Sequence, residues 1–388
     1  MPTVKLSTKE DIEDLVRGCT FFGTGGGGRP AEGIRLLTGV LEKKGYIVWK
    51  DVDELPDSGY AVCPFLMGSI APLTEKTLSQ MQELGLNPEK KVDVNLLTKA
   101  VEMLEKFTGI HPSVVVPIEL GGANTPAAIT AASDLGLTVV DGDFTGRAIP
   151  EIVQITPHLH GKDACPIASF DQWGNVCYID KAINPAMAER IGKYLSAAAF
   201  GIAGQAGYLM PISEMRTILV RNTLTECLEV GRLIRTERQK GRSPLEKLMA
   251  RLKGKVLFVG TVTGKRWEDR DGYYWGYHEV TGESSFKGHS FKIWFKNENH
   301  VSWFDSKPYV TSPDMLIVVT YPECEPLYNP DIKEGMMVAV IGVPARKEFL
   351  CEKGLQVLGP RHFGFEFDYT LSNLSHGLIK ETLKGEYV

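Results

Sequence analysis

Hydrophobic residues recur at intervals of three and four along much of the first half of the chain, the pattern of helices with one buried face. This spacing predicts helices at 7–18, 30–45, 74–84 and 94–107, and an alanine-rich helix after the glycine turn at 121–122. Short apolar runs between them predict strands at 19–22, 46–50, 60–66, 113–118 and 137–140. Strands that alternate with helices indicate an α/β domain with a largely parallel sheet.

The pattern changes after about residue 166. Helical spacing dominates 184–199 and 213–240, and a further helix begins at 242–246. Short apolar runs separated by turn residues then predict strands at 255–263, 273–280, 289–296, 315–321 and 336–343. We therefore expect an α/β domain at 1–166 and a β-rich α+β domain at 167–388.

Composition narrows the function classes. The 388 residues carry a formal charge of −5 and are 43% hydrophobic, which is typical of a folded protein without general attraction to nucleic acid. No window is apolar enough for a membrane span, and the first residues lack a secretion-signal pattern. The seven scattered cysteines indicate reduced thiols and a cytoplasmic protein. A homo-oligomer is compatible with all of this.

The run "GTGGGGRP" at 23–30 matches the dinucleotide pattern G-x-G-x-x-G, with Asp51 where a ribose-binding acid would stand. A nicotinamide-dependent oxidoreductase is therefore one alternative. A run of glycines matches this pattern by default, however, and the preceding predicted strand is very short. Arg29-Pro30 also stands where a P-loop needs Lys-Ser/Thr, so no nucleotide is expected.

The glycine loop, residues 23–28, still leads into a helix start, where free N–H groups bind anions or carbonyl oxygens. Gly25, Gly26, Gly27 and Gly28 are the candidate donors to a ligand. The alternative is a turn that needs glycine for its backbone angles alone.

Polar residues also follow the predicted strands: Glu119, Asn124, Asp141, Asp143 and Arg147. In a parallel sheet the carboxyl ends of strands meet at one edge, where ligands bind. These side chains are therefore predicted to converge near the glycine loop. Such a cluster can bind a polar ring, hold a metal or supply a general base.

His158 and His160 lie two residues apart, which would place both rings on the same side of a strand. They are a candidate metal pair, with Asp141, Asp143 or Cys165 available to complete it. The alternative is a structural or hydrogen-bonding role. A divalent metal thus remains an open possibility at this point.

Three stretches together resemble a known family: "DIEDLVRGCTFFGTGGGGRPAEG", "VPIELGGANTPAAITAASDLGLTVVDGDFTGRAIPE" and "LGPRHFGFEFDY". They are similar to the S-methyl-thiohydantoin desulfurase-like proteins, a family often named alongside hydantoinase and oxoprolinase components. The resemblance spans residues 8 to 369, and it agrees with an N-terminal α/β domain followed by a separate domain.

The resemblance implies a hydrolase that removes sulfur, as a thiol, from a five-membered thiohydantoin ring, or cleaves a C–N bond of a similar ring. In that case Asp141 or Asp143 would be the base or a metal ligand, and Glu119 and Asn124 would hold the imide-like edge of the substrate. Arg147 would orient a carboxylate on the ring or pair with Glu151. The alternative is a non-catalytic accessory or ligand-binding subunit of a hydantoinase/oxoprolinase-type enzyme.

Overall fold

The computed structural model describes residues 3–370 and Leu374, so the last part of the predicted second domain lies outside the described residues. The α-helices are α1 (Lys9–Phe22), α2 (Pro30–Lys44), α3 (Glu75–Glu83), α4 (Leu96–Thr108), α5 (Asn124–Leu135), α6 (Thr156–Leu159), α7 (Pro185–Ala198), α8 (Ile212–Ile218), α9 (Thr223–Gln239), α10 (Leu245–Leu252) and α11 (Glu352–Leu358). Among these helices, none is both long and apolar enough to cross a bilayer.

The strands of the first half are β1 (Val4–Leu6), β2 (Ile47–Trp49), β3 (Tyr60–Gly68), β4 (Val114–Val115), β5 (Thr138–Val139), β6 (Gly142–Asp143), β7 (Ile167–Asp171), β8 (Val176–Ile179), β9 (Ile202–Pro211) and β10 (Val220–Arg221). Those of the second half are β11 (Lys255–Arg270), β12 (Tyr273–Gly282), β13 (Ser290–Lys296), β14 (Glu298–Phe304), β15 (Lys307–Thr311), β16 (Met315–Thr320) and β17 (Met337–Val343).

The glycine loop joins two helices instead of following a strand. Thr8 caps α1 by accepting a hydrogen bond from the Asp11 N–H at 3.1 Å, and α1 then runs through Phe22. The predicted strand at 19–22 is therefore wrong: these residues form the last helical turn. That turn is buried on every side, so its continuous apolar run looks like a buried strand. Helix α2 begins at Pro30, as predicted.

The N-terminal sheet is mixed, and this corrects the prediction of a largely parallel one. Its strand order is β5-β4-β3-β9-β7-β8. The β3–β4 and β4–β5 pairs are parallel, whereas β3–β9, β9–β7 and β7–β8 are antiparallel. Strand β9 is rich in Gly and Ala, which are depleted in strands, so its pattern did not indicate one. It needs small residues because a Cβ at Gly204 would lie 2.5 Å from the Leu96 backbone.

The second half builds a seven-stranded antiparallel sheet of order β15-β14-β13-β12-β11-β17-β16, which confirms a β-rich C-terminal part. Strand β14 was missed because its sequence begins "ENH", yet Glu298, Asn299 and His300 are all buried. The boundary near residue 166 stays a prediction. Of the strands that follow it, β9 pairs with β3, β7 with β9 and β8 with β7, so all three extend the N-terminal sheet.

Candidate functional site

A cavity of about 350 Å³ lies where the two sheets meet. Residues from both halves line it: Gly27 and Gly28, the end of β3 and the following segment 69–73, Glu119, Asn124, 149–152, Lys193, and Asn297 with Glu298. Most of the wall is apolar. Against that wall, three buried ionisable side chains stand out, namely Glu119, Lys193 and Glu298.

Glu298 is held against the glycine loop. It follows Asn297, whose φ of 58° makes the tight reversal between β13 and β14. The Gly27 N–H donates to Glu298 Oε1 at 3.2 Å, and a Cβ on Gly26 would lie 1.8 Å from the same oxygen. Only glycine allows this approach at residue 26. Among the described residues, the buried Oε2 atom of Glu298 has no hydrogen-bond partner.

The rest of the glycine loop contacts the C-terminal part of the chain through its backbone carbonyls. The Gly25 carbonyl accepts a hydrogen bond from the Asn329 N–H at 2.7 Å, and the Thr24 carbonyl accepts one from the Asn299 N–H at 2.8 Å. The loop therefore anchors the C-terminal sheet to the N-terminal half. Gly27 and Gly28 face the cavity, and Gly28 directly precedes the N-terminus of α2.

Glu119 is fixed by two hydrogen bonds, one to each carboxylate oxygen. The Asn124 side-chain amide donates to Oε1 at 2.7 Å, and the Ile149 N–H donates to Oε2 at 2.8 Å. Asn124 is itself oriented, because its carbonyl oxygen accepts from the Leu66 N–H at 3.0 Å. The predicted pairing of Glu119 with Asn124 at one site is what the structure has.

The two glutamates affect each other. Burial raises the pKa of Glu119 to about 7, although the bonds from Ile149 and Asn124 and the charge of Lys193 act in the opposite direction. Burial and the nearby Glu119 raise the pKa of Glu298 well above its usual range. Burial thus opposes the ionisation of both glutamates at once, so the pair can hold a proton and also release it.

Lys193 supplies the buried cation. It lies on α7, which Asn184 caps, and its ammonium donates to the Gly68 carbonyl at 3.1 Å. Burial lowers the pKa of Lys193, whereas Glu189, Glu298 and Glu119 raise it. A charge at this position stabilises the anionic forms of both cavity glutamates.

Glu151 also lines the cavity but is fully paired. Its carboxylate binds the Lys296 ammonium and accepts from His362 Nε2 at 3.0 Å. Burial opposes ionisation, yet His362 and Lys296 lower the pKa of Glu151 to about 2. The predicted pairing of Arg147 with Glu151 is thus replaced by Lys296 and His362.

Asp141 does not line the cavity. Its Oδ1 atom accepts from the Leu224 and Thr225 N–H groups at 3.1 and 3.0 Å, so it caps the N-terminus of α9. Burial raises the pKa of Asp141, and the hydrogen bonds from Thr225 and Leu224 lower it. These contacts are those of a helix cap.

Asp143 is also turned away from the cavity. Its Oδ2 atom accepts from the Gly146 N–H at 2.7 Å and from the Thr145 hydroxyl at 2.9 Å. Burial raises the pKa of Asp143 to about 6, although the hydrogen bonds from Gly146 and Thr145 lower it. The carboxylate holds the turn that follows β6.

Arg147 is 1% exposed and bonds to protein throughout. Its Nε donates to the Ala148 carbonyl at 2.9 Å, and its terminal nitrogens donate to groups of both halves: Thr24 Oγ1, Asn299 O, Ser312 Oγ, Pro313 O and Asp314 O. Burial lowers the pKa of Arg147 to about 10. This arrangement joins the two halves behind the cavity and leaves no donor for a substrate carboxylate.

His158 lies in the short helix α6, and His160 directly follows that helix. The prediction that both histidines lie on a strand is therefore wrong. Pro157 at the start of that helix favours the helical turn. Among residues 3–370 and Leu374, no three His, Cys, Asp or Glu side chains are grouped as a metal site would require.

Sequence reasoning thus found Gly27, Gly28, Glu119 and Asn124, and it missed Glu298 and Lys193. Both missed residues sit in stretches that look solvent-exposed, namely "KNENH" and an Arg/Lys-bearing helix. Their burial follows from the contact between the two halves. The run of glycines was a signal in the sequence that another part of the chain packs closely against this backbone, as Glu298 does at Gly26.

Two family models match the chain: the N-terminal domain of the S-Me-THD-like family over residues 10–181 and its C-terminal domain over 183–371. The chain belongs to the S-methyl-thiohydantoin desulfurase-like (S-Me-THD-like) family. The resemblance found in the three sequence stretches is confirmed. The cavity lies between the parts of the chain that the two S-Me-THD-like models cover.

The chain is also similar to a solved structure, that of a protein from Chromobacterium violaceum. The TM-score is 0.74 at 22% sequence identity, with 95% of this chain and 99% of the other covered. At this identity the likeness shows a shared fold alone. No curated protein matches the chain.

Proposed function

We propose that the protein hydrolyses the C–S bond of a small thiohydantoin-like ring, with Glu119 as general base and Glu298 as general acid. The observation that carries the proposal is the buried pair of glutamates that line one cavity with Lys193. Two hydrogen-bond donors hold Glu119, whereas Glu298 Oε2 has no partner among the described residues. Family membership supports the choice of a thiohydantoin-related ring. The carboxyl groups then supply the proton transfers that hydrolysis needs.

For an S-alkyl ring, the atoms balance over two steps. Water attacks the sulfur-bearing carbon as one of its protons passes to Glu119, and the ring nitrogen that takes the C=N electron pair accepts the proton of Glu298. The new hydroxyl then returns a proton to Glu298 as the carbonyl forms. The C–S bond breaks, and sulfur leaves with its electron pair and the proton held by Glu119. Hydantoin and a thiol result, and both glutamates regain their starting states.

Other groups of the cavity support this chemistry. Gly28, Arg29 and Glu32 bring the N-terminal end of α2 to the cavity wall, where the positive end of the helix dipole would stabilise negative charge on a ring carbonyl oxygen. The Lys193 ammonium balances the carboxylate that each step creates. The apolar wall from Phe65, Ile118 and Ile149 excludes bulk water and strengthens these charges.

The test is release of a thiol from S-alkyl thiohydantoins, and of hydrogen sulfide from unalkylated ones, by the purified protein. Glu119→Gln and Glu298→Gln should each lower kcat/KM by about 10³-fold, since general acid–base catalysis is worth about 10² to 10⁴. Glu102→Gln, which removes a carboxylate that pairs with Lys99 on α4, is the control and should leave turnover unchanged. Wild-type rates in both cavity variants would refute the proposal.

The pH profile provides a second measurement. Rates should rise with pH through about 7 as Glu119 loses its proton, and fall at higher pH as Glu298 ionises. Because the two carboxyl groups interact, the rising and falling limbs of the pH–rate profile report the pair and not single residues. Ring binding without turnover at any pH would instead favour the accessory-subunit alternative.

A further inference from the structure

The ring of Tyr273 lies within cation–π distance of two ammonium groups, and one of them belongs to the cavity residue Lys193. The Lys193 Nζ is 4.2 Å from the ring centroid, and the Lys296 Nζ is 4.0 Å from it. Both distances are those of cation–π contacts. Tyr273 begins β12, so a residue of the C-terminal sheet contacts the lysine that α7 brings to the cavity.

The ring changes how Lys193 uses its donors. An ammonium has three N–H groups, and one of them donates to the Gly68 carbonyl at 3.1 Å. The face of the Tyr273 ring attracts a second N–H group, although the ring offers no conventional hydrogen-bond acceptor. One donor remains for the cavity, where Glu298 and Glu119 lie.

The Tyr273 hydroxyl keeps a competing carboxylate occupied. It donates to Glu189 Oε1 at 2.7 Å, while Glu189 Oε2 accepts from the Ile152 N–H at 2.8 Å. The same Oε1 atom is 4.0 Å from the Lys193 ammonium, beyond hydrogen-bond distance. Glu189 therefore attracts Lys193 without binding it directly.

We propose that Tyr273 is a positioning residue for the cavity, whose ring holds the Lys193 ammonium charged in the wall that Lys193 shares with Glu298 and Glu119. The inference rests on the proposed function for its catalytic consequence, but not for the placement of the charge. It also gives the C-terminal sheet a second role at the site, besides supplying Glu298. Gly272, just before Tyr273, packs on the stem of Lys193: a Cβ there would lie 3.4 Å from Lys193 Cδ.

The charge state of Lys193 depends on groups from several elements. Burial lowers the pKa of Lys193, Glu189 on its own helix raises it, and so do Glu298 and Glu119 across the cavity, whereas Lys296 lowers it. Burial and the neighbouring Glu189 raise the pKa of Tyr273 far above its usual range, so the phenol stays a donor. Removing the ring withdraws the attraction of the π face, which favours the neutral amine.

The experiment measures Lys193 itself. The protein is labelled with acetic anhydride across a pH series, and mass spectrometry of the Lys193 peptide gives the pH of half-maximal reactivity, which requires no turnover. Tyr273→Leu and Tyr273→Met should lower that pH by about one unit. Methionine fills much of the volume of the tyrosine ring, so Tyr273→Met can be measured if the Tyr273→Leu variant does not fold. Tyr273→Phe retains the ring and should keep the wild-type value or raise it, because Glu189 is released.

The chain offers a matched control on the same strand. The Tyr277 ring has the Lys292 ammonium 4.0 Å from its centroid, on a part of β12 that does not line the cavity. Tyr277→Leu should leave the Lys193 value unchanged. An unchanged value in Tyr273→Leu and Tyr273→Met, or an equal fall in Tyr273→Phe, would overturn the inference. A fall in the ringless variants supports it even where the thiohydantoin panel shows no turnover.

Discussion

The cavity and the strand-end cluster of Asp141, Asp143 and Arg147 both bury carboxylates near a cation, but their hydrogen bonds end in different places. In the strand-end cluster, Arg147 donates only to protein groups, Asp141 caps a helix, and Asp143 has a buried Oδ1 atom without a partner among the described residues but does not line the cavity. In the cavity, Glu298 keeps an oxygen without a protein partner in the described structure. Burial alone therefore does not mark a functional acid. An unused donor or acceptor directed into a cavity is the better criterion.

The largest expected effect tests the structural side of that comparison. Arg147→Met leaves several buried carbonyls of both halves without donors, and each costs about 1 to 3 kcal/mol. We expect the free energy of unfolding to fall by at least about 3 kcal/mol in denaturant titration. The exposed Arg266→Met is the control and should change it by less than about 0.5 kcal/mol. A loss of under about 1 kcal/mol for Arg147→Met would mean that Arg147 does not join the two halves.

A somewhat smaller effect tests the cavity side. In Gly26→Ala, the new methyl group overlaps Glu298 Oε1 and must displace the carboxylate. Misplacing a reacting group by about 1 Å costs about 100-fold, so kcat/KM should fall by about that factor. Gly39→Ala is the control, because a Cβ there meets nothing within 4 Å. Normal turnover in a folded Gly26→Ala protein would separate Glu298 from the reaction.

The smallest effect distinguishes the two clusters most directly. Asp141→Asn keeps an oxygen to cap α9 but removes its charge, which should lower the free energy of unfolding by about 1 kcal/mol. Thiol release by the folded variant should stay at the wild-type rate. The exposed Asp53→Asn controls for the loss of one negative charge. If Asp141→Asn abolished turnover without unfolding, the strand-end cluster would have to be returned to the active site.

Local sequence signals accounted for helix α2, from Pro30 to the left-handed Gly45, and for the apolar runs of β11, β16 and β17. They failed where tertiary contacts overrode local preference. Strand β9 is made of small residues because α4 crosses it closely. Strand β14 is polar because its buried side chains are hydrogen-bonded, Glu298 to Gly27 of the other half and Asn299 and His300 within the C-terminal part. The last turn of α1, at Cys19–Phe22, is buried on all sides, so the spacing of its hydrophobic residues did not distinguish a helix from a strand.

By itself, the sequence determined the family, the β-rich second half, and the approach of Glu119 and Asn124 to the glycine loop. Those follow from motifs and from neighbours close in the chain. Only the tertiary structure decided that Glu298 and Lys193 complete the cavity, while Asp141, Asp143 and Arg147 support the fold. The physical reason is that hydrogen-bond partners far apart in the chain, such as those of Glu298, Lys193, Arg147 and Asp141, leave no periodic trace in the sequence. The tertiary structure also explains why the run at 23–28 needs glycine. The Glu298 carboxylate, from the other half of the chain, lies so close to the backbone that a side chain at Gly26 would overlap it.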